Sequence, residues 1–340
     1  MAMTKRERFE KFLHNEPVDR VPVALFHHFC SEAEWLKGLE NKEAFEHNIE
    51  GHRKARAIFD PDVIKIMNDS LMIMPLDVSF VKQASDLRNI QPPQPGSLFF
   101  AKSRELTERV VKIYEGSDAP IYFTGFSPCI ILRNGLSGLD IGLAVEHSRL
   151  SAFLDEDASA VEKALDIIAD SVIALNKMIL TECGADGLYF SVNNQAHYIP
   201  DDLYVKHIAA SEKKVLAETN KLSKINMLHI CGYHGKSNNM DLYKDYDVPI
   251  FNWAVHAEGV SLSEGKKFFG GKPVCGGFAQ DETIYKGTRE EVEAEVYRYL
   301  DDAGQIGVML GADCTVPTDI DDNRLEWVRQ AAIKYAAGTR

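Results

Sequence analysis

Short apolar stretches alternate with amphipathic helical stretches along most of the chain. The apolar stretches cover residues 20–25, 62–67, 120–124, 187–191, 226–232, 248–253, 272–277 and 307–311. Their length and their content of β-branched and aromatic residues are typical of buried strands. Eight strands separated by helical segments predict an α/β protein with a (β/α)₈ TIM barrel, in which the parallel strands form a closed sheet.

Two departures from the repeat modify this prediction. Residues 4–14 form an amphipathic helical pattern before the first strand, with Phe9, Phe12 and Leu13 on one side. The pattern weakens in residues 75–119, and the proline-rich run at 91–96 indicates a loop within an insertion after the second strand. We therefore predict a single barrel domain over residues 1–340, with a helical extension in residues 1–19.

A doubly wound open sheet is the alternative fold for a chain of alternating strands and helices. Such a sheet commonly carries the nucleotide-binding pattern G-x-G-x-x-G directly after its first strand. That pattern is absent here, and the glycine-rich stretch from Gly265 to Gly277 does not have its spacing. The missing pattern favours the barrel.

Composition and charge narrow the classes of partner. The chain has 38 lysines and arginines against 51 aspartates and glutamates, which gives a formal net charge of −13. This charge argues against nonspecific binding to nucleic acid or to anionic membranes. No apolar run approaches the roughly 20 residues that span a bilayer, and the N-terminus leads into a charged helix. We expect a cytoplasmic protein with small-molecule or protein partners, and the sequence does not specify its oligomeric state.

Chemically capable side chains follow several of the predicted strands. Active sites of such barrels lie at the C-terminal ends of the strands. The polar residues at those ends are His27, His28, Asp69, Ser127, Asn193, His229, Cys231, His256, Cys275 and Cys314. Because the ends of parallel strands meet at one face of the barrel, we predict that these side chains share a pocket.

A histidine and a cysteine at the end of the fifth predicted strand suggest a metal site. His229 and Cys231 are two residues apart, so on a strand they point to the same face. Imidazole and thiolate are preferred zinc ligands, and a catalytic zinc usually has three protein ligands. Cys314 and Cys275 both follow strands and are candidates for the third, with His234 as a further alternative. The competing interpretation is a pair of ordinary core residues, since free cysteine is commonly buried.

Other strand-end residues suggest roles around such a site. Asp69 and His28 are candidates for a general acid or for groups that orient their neighbours, and Asn193 is a candidate substrate-binding residue. Cys275 would line the pocket if it is not a ligand. Aromatic rings near the strand ends would form the mouth of the pocket, and such a mouth suits a methoxylated arene better than a small charged thiol. These residues are Phe26, His27, His28, Phe29, Phe126, Tyr189 and Trp253. Ordinary barrel packing is the alternative explanation for that cluster.

Four segments of the chain resemble the uroporphyrinogen decarboxylase superfamily. They are residues 6–9, 17–22, 228–232 and 310–317, and their order matches over nearly the whole chain. The resemblance implies a (β/α)₈ barrel. It also implies one of two activities: porphyrinogen decarboxylation, or zinc-dependent methyl transfer in a corrinoid system that uses coenzyme M, methylamines, methanol or methoxylated aromatics.

The details of the resemblance favour the methyltransferase branch. Decarboxylases carry an arginine-rich segment after the first strand and a histidine after the last, whereas residues 26–32 contain no arginine and the last strand is followed by Ala-Asp-Cys. Asp69 does correspond to the decarboxylase aspartate. The methyltransferases carry H-x-C followed much later by a single cysteine, and this pattern matches His229, Cys231 and Cys314. The resemblance therefore favours Cys314 over Cys275 as the third zinc ligand.

The resemblance implies a zinc methyltransferase that moves a methyl group between a small substrate, with a methoxylated aromatic ether favoured, and the cobalt of a corrinoid protein. The chain contains no D-x-H, so it lacks the D-x-H-x-x-G signature of a cobamide-binding module. The cobamide would therefore be carried by a separate partner protein. The alternatives are a methylcobamide:thiol methyltransferase, a decarboxylase-like enzyme that uses Asp69, and a noncatalytic binding module for the corrinoid protein.

Overall fold

The structure is a computed structural model that describes residues 2–137, 149–232 and 235–339. Its strands are β1 (Ile64–Ile66), β2 (Ile121–Phe126), β3 (Gly187–Val192), β4 (Met227–Ile230), β5 (Ile250–Trp253), β6 (Val274–Phe278) and β7 (Val308–Ala312). Its helices are α1 (Lys5–Leu13), α2 (Lys42–Ile58), α3 (Leu98–Ile113), α4 (Pro128–Ser137), α5 (Arg149–Glu182), α6 (Asp201–Leu203), α7 (Ala209–Leu222), α8 (Val255–Glu258), α9 (Leu262–Phe268), α10 (Thr283–Lys286), α11 (Arg289–Ala303) and α12 (Asn323–Ala336). His234 lies outside the described residues.

Within those ranges the seven strands form one parallel sheet in which each strand pairs with the next along the chain. Most of the crossover connections that parallel pairing requires contain α-helices, and the described part of the connection from β4 to β5 contains a short 3₁₀ helix, Met240–Tyr243. All seven strands are buried along almost their whole length, which explains their nearly continuous apolar sequences. The prediction of a parallel α/β barrel is confirmed, as are the N-terminal helix and the insertion between β1 and β2.

The first predicted strand, residues 20–25, is an extended segment rather than a strand of the sheet. It joins β7 through a parallel bridge between Val23 and Leu310, with hydrogen bonds from the Leu310 amide to the Pro22 carbonyl (3.0 Å) and from the Ala24 amide to the Leu310 carbonyl (2.8 Å). On the β1 side, the Val23 amide donates to the Asp62 carboxylate at 2.9 Å. Pro22 has no amide hydrogen to donate. The segment thus closes the barrel between β7 and β1 without a backbone ladder to β1 within the described residues.

Asp62 joins three parts of the barrel through buried ion pairs. Its carboxylate accepts hydrogen bonds from Arg8 of α1 (2.9 Å) and from both terminal nitrogens of Arg20 (2.6 and 2.9 Å). Asp62 itself is fully buried. A buried charge whose partner is removed is strongly destabilising, because the remaining charge loses both water and counterion. Asp62 therefore fixes the closing segment.

We expect Asp62→Asn to lower the free energy of unfolding by about 3–5 kcal/mol, because Arg20 would lose its carboxylate partner inside the protein. Urea unfolding followed by circular dichroism measures this change. Asp60→Asn is the matched control, since the Asp60 side chain is 52% exposed in its ion pair with Lys5. Equal stability of the two variants would show that the buried network does not hold the closing segment.

The N-terminal helix α1 packs under the barrel. Phe9 and Phe12 are almost fully buried in a cluster with inward-facing strand residues such as Tyr122 and Met227. These strand residues lie near the N-terminal ends of β2 and β4, so α1 covers that end of the barrel. The opposite face, where the strands end, is left for a site. Among the helices of the described ranges, none combines the length and apolarity that a membrane crossing needs.

Candidate metal centre and cavity

Three soft ligands converge where β4 and β7 end. His229 lies in β4, Cys231 follows it, and Cys314 follows β7, and one ligand atom from each lies within 4.8 Å of the others. The Cys231 and Cys314 sulfurs are 3.8 Å apart, and the Cys314 sulfur is 3.8 Å from Nε2 of His229. Two sulfurs bound to one tetrahedral zinc at roughly 2.3 Å would be separated by about 3.8 Å. The spacing and the donor set therefore fit a zinc ion.

Asn252 in β5 fixes which nitrogen of His229 faces the sulfurs. The Asn252 amide nitrogen donates to the carbonyls of Cys275 (2.9 Å) and Ala312 (3.4 Å), so its oxygen points the other way. That oxygen accepts hydrogen bonds from the Tyr189 hydroxyl (2.7 Å) and from Nδ1 of His229. Because Nδ1 carries the proton, Nε2 offers its lone pair toward the cysteines. The Tyr189 ring also stacks on the imidazole, with centroids 4.9 Å apart.

We expect Asn252→Ala to lower zinc affinity by about 10–100-fold, the usual effect of removing the partner that orients a histidine ligand. Competition with a chromogenic chelator measures the affinity. The control is Asn226→Ala, which removes another fully buried amide, one that accepts from the Leu188 amide at 2.9 Å near the start of β4. Comparable zinc affinity in both variants would contradict the orienting role of Asn252.

Cys314 has an acidic thiol. A hydrogen bond from Cys231 is the main cause that holds the pKa of Cys314 well below its usual range, and the charge of Lys65 acts in the same direction, against the opposing effect of burial. A thiolate is the form of cysteine that binds metals. The arrangement thus favours the metal-binding form of Cys314 before any metal arrives.

Lys65 of β1 is buried beside this pair. Burial lowers the pKa of Lys65 to about 8, although the charges of Cys314, Asp69 and Cys231 act in the opposite direction. Its ammonium donates to the Thr315 hydroxyl at 3.2 Å and lies 4.5 Å from the centre of the Tyr189 ring. Lys65 is thus a cation held between aromatic and polar groups at the edge of the ligand cluster.

His28 and Asp69 form a second pair in the same region. Nδ1 of His28 is 2.7 Å from one Asp69 oxygen, and the other oxygen accepts the amides of Phe29 (2.6 Å) and Cys30 (3.0 Å). Burial alone would raise the pKa of Asp69, but the charge of His28 and these hydrogen bonds hold it below its usual range. Asp69 is therefore an ionised acceptor, and Nδ1 of His28 must carry a proton. With Nδ1 engaged by Asp69, Nε2 is the ring nitrogen of His28 that remains for a ligand in the cavity, and it has no hydrogen bond to the described residues.

One cavity connects the ligand cluster with His28. Of the residues predicted from sequence, its wall includes His28, Phe126, Tyr189, Asn193, His229, Cys231 and Cys314. Asp69 is fully buried behind His28 and is not among the lining residues. The cavity is also lined by polar residues that were not predicted from the sequence, notably Lys65, Arg133, Gln195 and Thr315. The predicted shared pocket thus contains the three ligands, one member of the acid–base pair and part of the aromatic mouth.

Phe26 and His27 lie elsewhere. Both line a second cavity, between the closing segment and α12, where Nε2 of His27 pairs with Asp322 at 2.8 Å. Phe26 packs edge-on against Tyr189, with ring centroids 5.8 Å apart. The predicted role of Phe26 and His27 in substrate binding is not supported, because of residues 26–28 only His28 lines the main cavity.

Trp253 and Cys275 are also not among the described residues that line the main cavity. Trp253 follows the inward-facing Asn252, so it faces the helix layer, where its indole donates to the Val260 carbonyl at 2.9 Å. Cys275 is in the packed interior of the barrel, and burial raises the pKa of its thiol to about 12. It therefore does not share the ligand cluster, which agrees with the preference for Cys314 as third ligand.

Two residues of the cavity wall that were not predicted from the sequence are nevertheless unusual in their sequence context. Lys65 is the one basic residue in the apolar stretch 62–67, and Arg133 interrupts the apolar part of α4. A charged residue inside a buried element is uncommon unless it is paired. Asn252 had a similar but weaker signal, as a polar residue between Phe251 and Trp253 in a strand.

The fold and the site together define a class of protein. It is an α/β barrel in which two thiols and an imidazole converge at the ends of the strands. Comparison with protein families matches residues 141–335, more than half of the chain, to the family described as uroporphyrinogen decarboxylase (URO-D). The chain belongs to the uroporphyrinogen decarboxylase family. A sequence search of curated proteins gave no match.

Solved structures share the fold at low sequence identity. A methyltransferase from Methanosarcina mazei is 17% identical, with a TM-score of 0.70 over 98% of this chain and 99% of that one. A B12-independent methionine synthase from Shewanella sp. W3-18-1, in complex with selenomethionine, is 15% identical, with a TM-score of 0.55 over 94% of this chain and 98% of that one. These similarities confirm the barrel over nearly the full length of the chain.

Proposed function

We propose that this protein is a zinc-dependent methyltransferase that moves a methyl group between a small substrate and the cobalt of a separate corrinoid protein. The observation that carries the proposal is the cluster of His229, Cys231 and Cys314, whose ligand atoms lie within 4.8 Å of one another. The favoured substrate is a methoxylated aromatic ether. Methylcobamide:thiol transfer is the same chemistry in the other direction.

The donor set supports zinc at this position. Two sulfurs and one imidazole leave a fourth position for a substrate atom, as catalytic zinc sites do. A zinc ion bound there would draw electron density from an ether oxygen, or would keep a substrate thiol in its nucleophilic thiolate form. Asn252 and Tyr189 would hold His229 in the tautomer that this binding needs.

The His28–Asp69 pair supports a proton-transfer role beside the site. When a methyl group leaves an ether, the carbon–oxygen electron pair stays on the oxygen, which then takes a proton. His28 lines the cavity and can hold that proton at Nε2, while Asp69 stabilises the charged imidazole through Nδ1. For a thiol substrate, the same nitrogen can accept the proton that the thiol loses.

A separate corrinoid protein is proposed because the chain lacks the D-x-H-x-x-G signature. The fold supports methyl transfer in a general way, since both similar structures bear the names of methyl-transferring enzymes. A methyl group accepted by Co(I) forms its bond with an electron pair from cobalt, so the transfer needs no external oxidant or reductant. The cobalt would have to approach the open end of the cavity.

A decarboxylase-like activity based on Asp69 has less support. Both carboxylate oxygens are already engaged by His28 and by the amides of Phe29 and Cys30. Among the described residues that line the cavity there is no aspartate or glutamate, Asp69 included. Asp69 is thus better suited to orient His28 than to contact a substrate.

The test combines metal analysis with a methyl-transfer assay. Purified protein should bind one zinc per chain and should methylate cob(I)alamin from methoxyarenes, or should methylate thiols from methylcob(III)alamin, as followed by the corrinoid absorbance. Methylated amines are tested as a further class of methyl donor. Stoichiometric zinc without transfer in any arm would overturn the methyltransferase proposal and favour a noncatalytic binding module.

A further inference from the structure

Arg133 is a buried cation in the wall of the main cavity. Its side chain projects from α4 and the residue is 5% exposed. Nη1 donates to the Asn193 side-chain oxygen at 2.8 Å, and the guanidinium lies 4.5 Å from the centre of the Tyr198 ring. Its Nε is buried and has no hydrogen-bond partner in the described ranges. Among the described residues no carboxylate lies within 4.0 Å of this guanidinium.

With a zinc ion bound to the two cysteines, as the proposed function requires, the charges around the cavity would not balance. Arg133 and Lys65 line it as cations, and no aspartate or glutamate is among its described lining residues. The two anionic groups are Cys231 and Cys314, whose charge a bound zinc would neutralise. An unbalanced buried charge is costly, and a ligand that brings the opposite charge removes that cost.

Arg133 is better suited than Lys65 to take that ligand. The Lys65 ammonium already faces two aromatic rings, 4.5 Å from the centre of Tyr189 and 5.2 Å from that of Phe26. A guanidinium presents its donors in a planar fork that matches the two oxygens of a carboxylate or sulfonate. The apolar side chains of Trp35, Met72, Phe126 and Ile130 supply walls for an uncharged body.

We propose that the cavity recognises a substrate with an anionic group, a carboxylate or sulfonate, which Arg133 binds with help from Asn193 and Gln195. The methylated or methyl-accepting heteroatom then lies beside His229, Cys231 and Cys314, which line the same cavity. The position of the heteroatom and the excess of positive charge rest on the proposed function, whereas the buried guanidinium without a carboxylate partner among the described residues does not. The substrate class is thus a small amphipathic molecule, charged at one end and carrying an ether oxygen or a sulfur at the other.

The test measures binding to the zinc-loaded protein by isothermal titration calorimetry, without any corrinoid. One matched pair is 4-methoxybenzoate and 4-methoxybenzamide, and the other is 3-mercaptopropionate and 3-mercapto-1-propanol. We expect the anionic member of at least one pair to bind at least about tenfold more tightly, as for a buried charge-assisted contact. The pair that shows the preference distinguishes an aryl ether from a thiol substrate.

Variants then assign the preference to Arg133. Arg133→Gln should bind the anionic and neutral members alike, whereas Arg133→Lys should keep part of the preference because it keeps the charge. Arg53→Gln is the control, since Arg53 is an exposed residue of α2 with a 59% exposed side chain. A preference that survives in Arg133→Gln would overturn the assignment.

The wild-type comparison decides the proposal even if the glutamine variant fails to fold. Equal binding of the members of both pairs, or no binding by any of the four compounds, would overturn it. The outcome is separate from that of the methyl-transfer assay. An Arg133-dependent preference for anions without any methyl transfer would support this inference and refute the proposed function, and transfer that ignores the substrate charge would do the reverse.

Discussion

Cys314→Ser protein is expected to lose zinc affinity by more than about a hundredfold, because losing a ligand should cost more than the 10–100-fold typical of losing a ligand's supporting contact. A serine hydroxyl is a poor zinc ligand, and the hydrogen bond between the two sulfurs would go with the thiol. Methyl transfer should fall with the metal. Metal analysis after dialysis against a weak chelator gives the first measurement, and the corrinoid assay gives the second.

Cys275→Ser is the matched control for this result. Cys275 also belongs to a predicted strand, but its thiol lies in the packed barrel interior and the residue is 1% exposed. It should keep its zinc and at most lose some stability, which thermal unfolding would detect. If Cys275→Ser lost its zinc while Cys314→Ser kept it, Cys275 rather than Cys314 would be the third ligand. That result would contradict the proposed ligand set.

The ligand set illustrates what sequence can predict in such a barrel. His229 and Cys231 are two residues apart, so the two-residue period of a strand alone puts them on one face. Cys314 is 83 residues from Cys231, and the rule that strand ends share one face makes both Cys314 and Cys275 candidates for the third ligand. The strand period and the barrel topology follow from the hydrophobic pattern, but the choice of Cys314 over Cys275 came from the family resemblance.

The misplaced residues depended on information that the pattern does not contain. The sequence predicts Trp253 in the aromatic mouth, but the two-residue period of a strand turns Trp253 outward when Asn252 faces inward. The sequence alone does not reveal which of these two neighbours faces inward. The extended segment at residues 20–25 looked like a strand, but Pro22 and the side chain of Asp62 replace the ladder on one side. Both outcomes depend on contacts with residues that are distant in sequence.

The pairing of Arg133 with Asn193 lies beyond sequence reasoning for a similar reason. They are 60 residues apart, on α4 and after β3, and nothing in either segment indicates that one hydrogen-bonds the other. Sequence could have marked Arg133 as unusual in an apolar helix segment. Only the fold shows that its guanidinium lines the same cavity as the ligand cluster.

We expect Asp69→Asn to lower the rate of methyl transfer by about 10²–10⁴-fold while zinc content stays unchanged, because general acid–base catalysis contributes that range. An amide at this position cannot stabilise a charged imidazole as a carboxylate does. The proton on Nδ1 of His28 would lose its anionic acceptor, and Nε2 would no longer be set to exchange a proton with the substrate. Single-turnover kinetics with zinc-loaded protein isolate this step.

The same carboxylate should affect stability in a pH-dependent way. Since the folded-state pKa of Asp69 lies below that of the unfolded chain, its contribution is fully present above the unfolded value of about 4. It is lost as the pH falls through the lower, folded-state pKa. The stability difference between wild type and Asp69→Asn should therefore be constant near neutral pH and shrink below about pH 4, as denaturant unfolding at several pH values would show.

Double substitution distinguishes an orienting role from a direct one. If Asp69 acts through His28, then Asp69→Asn should add little further loss to His28→Gln, since residues that act as a unit are not additive. Asp86→Asn is the control, because the Asp86 carboxylate also accepts two backbone amides (2.9 and 3.1 Å) but is not part of the His28–Asp69 pair. Fully additive losses would mean that Asp69 contacts the reacting groups itself, and the decarboxylase-like interpretation of this aspartate would regain support.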